Sequence, residues 1–253
     1  MKSKLLLGAA VLALSITAGA AYAKPSAAVA AAIADAARPA ADTALDAERK
    51  PADMLEFAGV KPGQTVVDLL PGGGYFTRIF SKAVGAGGTV YAVGGPPRPS
   101  TDPAKPAPTP AQDTIAADPN YANVKSVHAP LAGGLSIPTK ADVVWTSQNY
   151  HDVKNVPNID MLAFDKAIFA ALKPGGVFVV LDHVANADTM NPTSTVHRID
   201  PAVVKREVEA AGFKYEGEST VLRNPADDHS KNVFDPSLRH KTDQYIYKFR
   251  KPK

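Results

Sequence analysis

Apolar positions along this chain alternate between two patterns. Short, nearly continuous runs at Val66–Leu70, Thr89–Val93, Val124–His128, Ala141–Thr146 and Val177–Leu181 have the length and composition of strands buried on both faces. Between them, apolar residues recur every three or four positions. Pro51 suits a helix first turn, Met54, Leu55 and Ala58 share a face, and Gly59 ends the pattern. A second helix starts near Tyr75 with Phe76, Ile79, Phe80 and Ala83, and a brief one falls at residues 118–122. Asp160 caps a helix carrying Met161, Phe164, Ile168 and Leu172, which Lys173-Pro174-Gly175-Gly176 ends. Asp200-Pro201 opens another, with Val204, Val208 and Ala211 on its face and Gly212 as its stop. Phe213–Leu222 has a strand's bounds, and Gln244–Phe249 alternates as a final strand, half exposed at its even positions. Strands alternating with helices predict a doubly wound α/β fold whose ligand sits outside the carboxyl ends of its parallel strands.

The stretch Thr65–Phe80, TVVDLLPGGGYFTRIF, organises this pattern as strand, glycine turn and helix. A buried strand has no cheap place for a carboxylate, so Asp68 belongs near its open end. Gly72, Gly73 and Gly74 then let backbone approach a ligand, and the following helix offers unpaired N–H groups. Two other strands also leave through polar residues, one into Ser147-Gln148-Asn149-Tyr150-His151-Asp152 and one into Asp182-His183.

Residues outside this frame add less. Met1–Ala23 has Lys2 and Lys4, an apolar stretch and a closing Ala21-Tyr22-Ala23, which reads as a cleaved signal peptide and places the chain in the periplasm or outside the cell. No cysteine follows to carry a lipid, so no stable membrane anchor is expected. Residues 24–45 are alanine-rich and read as a loose lead-in to a single domain over residues 46–253. Residues 96–112 hold seven prolines, at 96, 97, 99, 103, 106, 108 and 110, and form an extended loop, either a tolerated insertion or a lid. The balance of 28 basic and 25 acidic residues recruits no nucleic acid. Nothing in it sets an oligomeric state.

The order VVDLLPGGG, VYAV, ADVVWTSQNYHDV, LKPGGVFVVLDH and a helix ending AAGF resembles the class I S-adenosylmethionine-dependent methyltransferases over roughly residues 46–253. HRIDPAVVKREVEAAGF, LRNPADDHS and TDQYIYKFRKP are similar, more narrowly, to exported methyltransferase-like proteins. The resemblance implies a Rossmann-like seven-stranded sheet, mostly parallel with an antiparallel last strand. It also implies S-adenosylmethionine as cofactor and a small-molecule methyl acceptor. The cofactor would lie against Asp68, Gly72, Gly73, Gly74, Gly94 and Gln148. Two positions depart from the family pattern: Leu70 stands at the first glycine of its acid-x-Gly-x-Gly-x-Gly motif, and Gly94-Gly95 follows the second strand where an acid holds the ribose. Asp102 or Asp113 from the Pro-rich loop is the substitute within reach of the sequence. A dinucleotide enzyme fits less well, because Thr77 occupies the third-glycine position of its fingerprint.

For methyl transfer, His151 is the candidate proton acceptor, Asn149 the residue orienting the acceptor and Tyr150 the wall around the methyl group. Of Asp182 and His183, opposite strand faces let only one enter the cleft. His197-Arg198 either contacts an anionic acceptor or lies at the surface. No metal is assigned, since no two histidines have helical ligand spacing, although His151, Asp182, His183 and His197 can converge in space. An exported enzyme would also need a supply of a cytoplasmic cofactor. The second expectation is therefore a catalytically silent small-ligand-binding protein with the same fold.

Overall fold

A computed structural model describes residues 24–253 except 98, 103 and 131–134, so the signal-peptide expectation lies outside the described residues. The strands are β1 (Thr65–Leu69), β2 (Thr89–Gly94), β3 (Val124–His128), β4 (Ala141–Ser147), β5 (Leu172–His183), β6 (Lys214–Ser219) and β7 (Gln244–Arg250). They form one seven-stranded sheet in the order β3-β2-β1-β4-β5-β7-β6. The first five are parallel to one another, and β7 runs antiparallel to both β5 and β6. This is the mostly parallel, doubly wound α/β fold with an antiparallel last strand that the apolar pattern and the resemblance implied.

Side chains alternate across the sheet because successive residues of a strand face opposite ways. One layer gathers Val66, Val90, Val143, Trp145, Val179 and Ile246 under the helices α1 (Ala27–Ile33), α4 (Pro51–Ala58) and α5 (Tyr75–Val84). The other gathers Val67, Val93, Val144, Phe178, Val180 and Phe249 under α7 (Tyr150–Val153), α8 (Met161–Ala171) and α10 (Pro201–Ala210). Trp145 is fully buried beneath α5, its ring 4.8 Å from Phe76 and 5.8 Å from Phe80. Asp160 and Asp200 cap α8 and α10, accepting from the amides of Ala163 and Ala202.

Three elements differ from the sequence expectation. β7 is interior to the sheet and paired on both edges, and Ile246, expected half exposed, is fully buried in the layer of Trp145 and Val179. Lys173–Gly176 belongs to β5, which bulges against β4 before the regular register begins at Val177. The alanine-rich lead-in is built into the fold. It forms α1 and α2 (Ala40–Thr43) and leads into α3 (Asp46–Arg49), with Ser26 capping α1 and Val29 and Ala32 fully buried against α5. Small side chains lack the bulk to mark an apolar face, yet they let α1 approach α5 closely. Arg38 ties the segment down through a two-pronged pair with Asp46 at 2.6 and 2.8 Å.

Val29→Asp places an unpaired charge in this contact. The expected loss is about 3 kcal/mol or more, read as a lower urea midpoint with Trp145 fluorescence as the signal. An unchanged midpoint would mean that α1 does not dock in solution.

Candidate functional site

β1 lies between β2 and β4, so the chain leaves the sheet on opposite sides after β1 and after β4. That is the switch point at which doubly wound sheets open a crevice. After β1, Leu70 adopts a left-handed backbone, φ 58°, and its N–H donates to Val93 O at 2.7 Å. Gly72, at φ 55°, and Gly73 follow, and Gly74 stands at the N-terminal cap of α5. Asp68 is almost fully buried and accepts the Thr77 hydroxyl of α5 at 2.5 Å. Burial pushes its carboxyl up to about 7 against the opposing pull of Thr77 and of the Arg49 charge.

Two cavities share Leu70, Pro71, Gly72 and Asn149. The smaller, about 260 Å³, is lined by Asp42, Arg49, Asp68, Gly73, Tyr75 and Gln148 among others. The larger, about 680 Å³, runs past Gly94, Gly95 and Gln112 to Asp152 and Val153. Pro96, Pro97, Pro108 and Pro110 wall it, so the Pro-rich loop belongs to the cleft. A Cβ built on Gly72 or Gly73 meets nothing within 4 Å. Gly74 is different: a Cβ there falls 2.1 Å from Ile115, on α6 (Ala111–Ala117). Its glycine serves helix packing, and it does not line either cavity.

Arg49 had no place in the sequence-based site. It ends α3, lies over the Tyr75 ring at 4.7 Å, and makes no ion pair among the described residues. Its only sequence signal is its position two residues before Pro51, where left-handed Lys50, φ 47°, separates α3 from α4.

At the end of β2 the missing acid is replaced by an amide. Gln112 is buried beside Gly94, whose Cβ, if present, would fall 2.2 Å from the Gln112 side-chain nitrogen. Neither aspartate of the loop substitutes. Asp113 is taken by Ser126 at 2.5 Å and His128 at 2.9 Å, and Asp102 accepts from the Ala104 amide within its own turn.

The exit of β4 departs most from expectation. Gln148 is left-handed, φ 59°, lines the smaller cavity and donates to Gln244 at 3.1 Å. Asn149 lines both cavities, but its side-chain NH₂ is spent on Leu70 O at 2.9 Å and Ser147 O at 2.6 Å, clasping the ends of β1 and β4. Tyr150 does not wall the cleft. The turn into α7 points it into the core, where its hydroxyl donates to Asp165 at 2.8 Å. His151 is buried with Nδ1 2.7 Å from Asp182 and Nε2 3.3 Å from Asp152. Burial works against its charged form, yet the two carboxylates outweigh it and raise the imidazole to about 10. With Nδ1 on one carboxylate and Nε2 facing the other, both ring nitrogens of His151 are engaged. His183, buried against Thr242 Oγ1 at 2.8 Å, is lowered by desolvation to about 4 and stays neutral. Arg198 is wholly internal, paired with Asp227 at 2.8 and 3.0 Å, and contacts no acceptor. The histidines do converge: the His151 ring centre lies 6.0 Å from that of His183 and 5.6 Å from that of His197.

No family model matches the chain, and no curated protein matches it. Solved structures do. An S-adenosylmethionine-dependent methyltransferase from Aquifex aeolicus aligns over 83% of this chain and 95% of its own at 17% identity, with a TM-score of 0.55. An arsenic(III) S-adenosylmethionine methyltransferase from Chlamydomonas reinhardtii aligns over 91% and 75% at 18% identity and 0.53. A third, from Mesorhizobium loti, aligns over 76% and 92% at 16% identity and 0.50. The chain has the methyltransferase fold.

Two outcomes follow from this geometry. Gly73→Val projects into the cleft and leaves the unfolding midpoint nearly unchanged while abolishing ligand binding. Gly74→Val collides with Ile115 at a left-handed position, φ 81°, and lowers the midpoint itself. The reverse ranking would remove the ligand from this turn. The second outcome concerns pH. An acid whose folded pKa lies above its unfolded value binds its proton more tightly when folded, so its contribution is present at low pH and lost as pH rises toward about 7. Each unit of that rise is worth about 1.4 kcal/mol. Asp68→Asn should therefore lose less stability than the native chain between pH 4 and 7, in parallel urea titrations. Equal slopes would show that Asp68 is not buried as described.

Proposed function

We propose that this protein binds S-adenosylmethionine across the β1–β4 switch and transfers its methyl group to a small-molecule acceptor. The observation that carries this reading is the open backbone at Gly72-Gly73, where a side chain would enter the cleft rather than the core. Charged groups flank it on one side and a neutral amide on the other. Arg49 suits the carboxylate of the cofactor's amino-acid end, and Asp68 suits its ammonium. Gln112 has both a donor and an acceptor for ribose hydroxyls. When bound, the cofactor supplies an electrophilic methyl group on a sulfonium.

The chain's own part is positioning. Asn149 fixes the two strand ends that frame the methyl group, and prolines wall the larger cavity. His151 is a positioning residue held between Asp182 and Asp152. Asp152, half exposed and lining the larger cavity, is the carboxylate facing an acceptor. The hydrogen bond from His151 holds it below the usual carboxylate range, so it is a weak base. The site thus suits an acceptor that arrives deprotonated or carries no proton to lose.

The basic start and small-residue end of residues 1–23 support export, as in the exported methyltransferase-like proteins that the tail resembles. One observation favours a second reading, a silent ligand-binding protein: an uncharged Gln112 stands where the ribose acid belongs.

Calorimetric titration with S-adenosylmethionine and its demethylated product separates the two. Binding at micromolar affinity or weaker, about −8 kcal/mol at best, is expected to vanish in Asp68→Ala and weaken about tenfold in Arg49→Ala. Gln112→Glu should tighten it about tenfold by restoring charged bonds to the ribose. No heat from either ligand at millimolar concentration would discard the methyltransferase reading for the silent one.

A further inference from the structure

Three side chains beside the larger cavity, two of them already placed at its acceptor end, are arranged as a ligand set. One donor atom from each of His151, Asp152 and His197 lies within 4.8 Å of the others. The Asp152 oxygen sits at their centre, 3.3 Å from His151 Nε2 and 3.4 Å from His197 Nδ1. Two ligands bound to one ion at about 2.0–2.1 Å, at angles near tetrahedral, stand about 3.4 Å apart. Both of these separations match that spacing.

The surroundings are those of a supported site. His151 presents Nε2 because its Nδ1 is held by Asp182 at 2.7 Å. Asp182 is itself fully buried and fixed by the amides of His151 at 2.9 Å and His183 at 2.8 Å. A buried carboxylate behind a histidine is the arrangement that orients imidazole toward a metal and strengthens it as a ligand. His197 arrives from a different segment with a left-handed backbone, φ 54°, wedged between the His151 ring and Phe234 at 5.0 Å. Its Nδ1 is buried and lacks a hydrogen bond of good geometry. The left-handed backbone thus brings a buried nitrogen to the Asp152 carboxylate.

We propose that His151 Nε2, Asp152 and His197 Nδ1 bind a divalent first-row transition ion at the acceptor end of the cleft. Two imidazoles and a carboxylate suit Zn²⁺, Co²⁺, Fe²⁺ or Ni²⁺ and disfavour Mg²⁺ and Ca²⁺, which take oxygen ligands. Three protein ligands leave a coordination position open, and Asp152 lines the cavity from which it is reached. On the methyltransferase reading, that position would take an oxygen of the acceptor and favour its deprotonated form, the ion displacing the proton on His151 Nε2.

The test needs no S-adenosylmethionine, so its result is independent of cofactor binding. The protein, purified without a histidine tag and treated with chelator, is titrated with Co²⁺ while its visible absorption is followed, and Zn²⁺ is then added in competition. One ion per chain at micromolar affinity or tighter is expected, with the cobalt bands displaced by Zn²⁺. His197→Ala and Asp152→Asn should each weaken binding at least 100-fold with near-ultraviolet circular dichroism unchanged. His128→Ala, which removes the separate His128–Asp113 pair, should leave it as it was. Binding weaker than millimolar, or binding that survives His197→Ala and Asp152→Asn alike, would overturn the site. Metal content measured on protein purified without chelator gives a second readout, and a variant that fails to fold leaves the other to decide.

Discussion

The site depends on two adjacent strand ends turning the same unusual way. Leu70 after β1 and Gln148 after β4 are both left-handed, and each sends its N–H to the next strand, to Val93 O and Leu181 O, both at 2.7 Å. A non-glycine residue in that conformation costs about 1 kcal/mol. Those two bonds and the Asn149 clasp between Leu70 and Ser147 offset the cost. With both ends fixed, the following segments diverge and the crevice stays open. Leu70 thereby does by context what a glycine does by freedom. Its side chain packs against the core layer around Val93 and Val144, which a glycine at this position would forgo.

Much of the fold was legible because buried strands need uninterrupted apolar runs, and these appear in the chain as such. Asp160, Asp200 and Gly59 marked helix ends for equally local reasons. What escaped was set at a distance. The alanines of α1 carry no visible face until α5 is placed against them. α6 starts directly behind Pro110, where the prolines masked a short helix whose Ile115 packs on Gly74. At the candidate site, residue types were readable and directions were not. Tyr150 and His151 are consecutive, yet one enters the core and the other meets Asp182, a choice made by the turn that α7 takes. His197 could not be placed, since it meets Asp152 from 45 positions away with no periodicity to announce it.

Buried charge is paired with the chemistry each location allows. Arg198 and Asp227, both fully buried, form a two-pronged pair that also bonds the backbone at Val184 and Lys231, and it holds the tail segment to the end of β5. Burial alone would push Asp227 up, but the guanidinium and two backbone amides keep it below its usual value. Asp68 has no such partner. It meets a hydroxyl and a more distant Arg49, and so remains the costly carboxylate. A fold does not retain such a group for stability, because replacing it with an apolar residue would remove the burden.

The same reasoning distinguishes what each part of the cleft can accept. At one end Arg49 and Asp68 present a cation and a proton-exchanging acid a few residues from open glycine backbone, which complements a zwitterion. The middle offers Gln112, neutral and able to donate and accept, against a wall of prolines. At the far end two carboxylates enclose a protonated imidazole, a pair of negative charges held by one positive. A ligand that is zwitterionic at its amino-acid end and neutral and hydroxylated in its middle fits both of the first two parts. A sulfonium-bearing nucleoside amino acid has that order of charges.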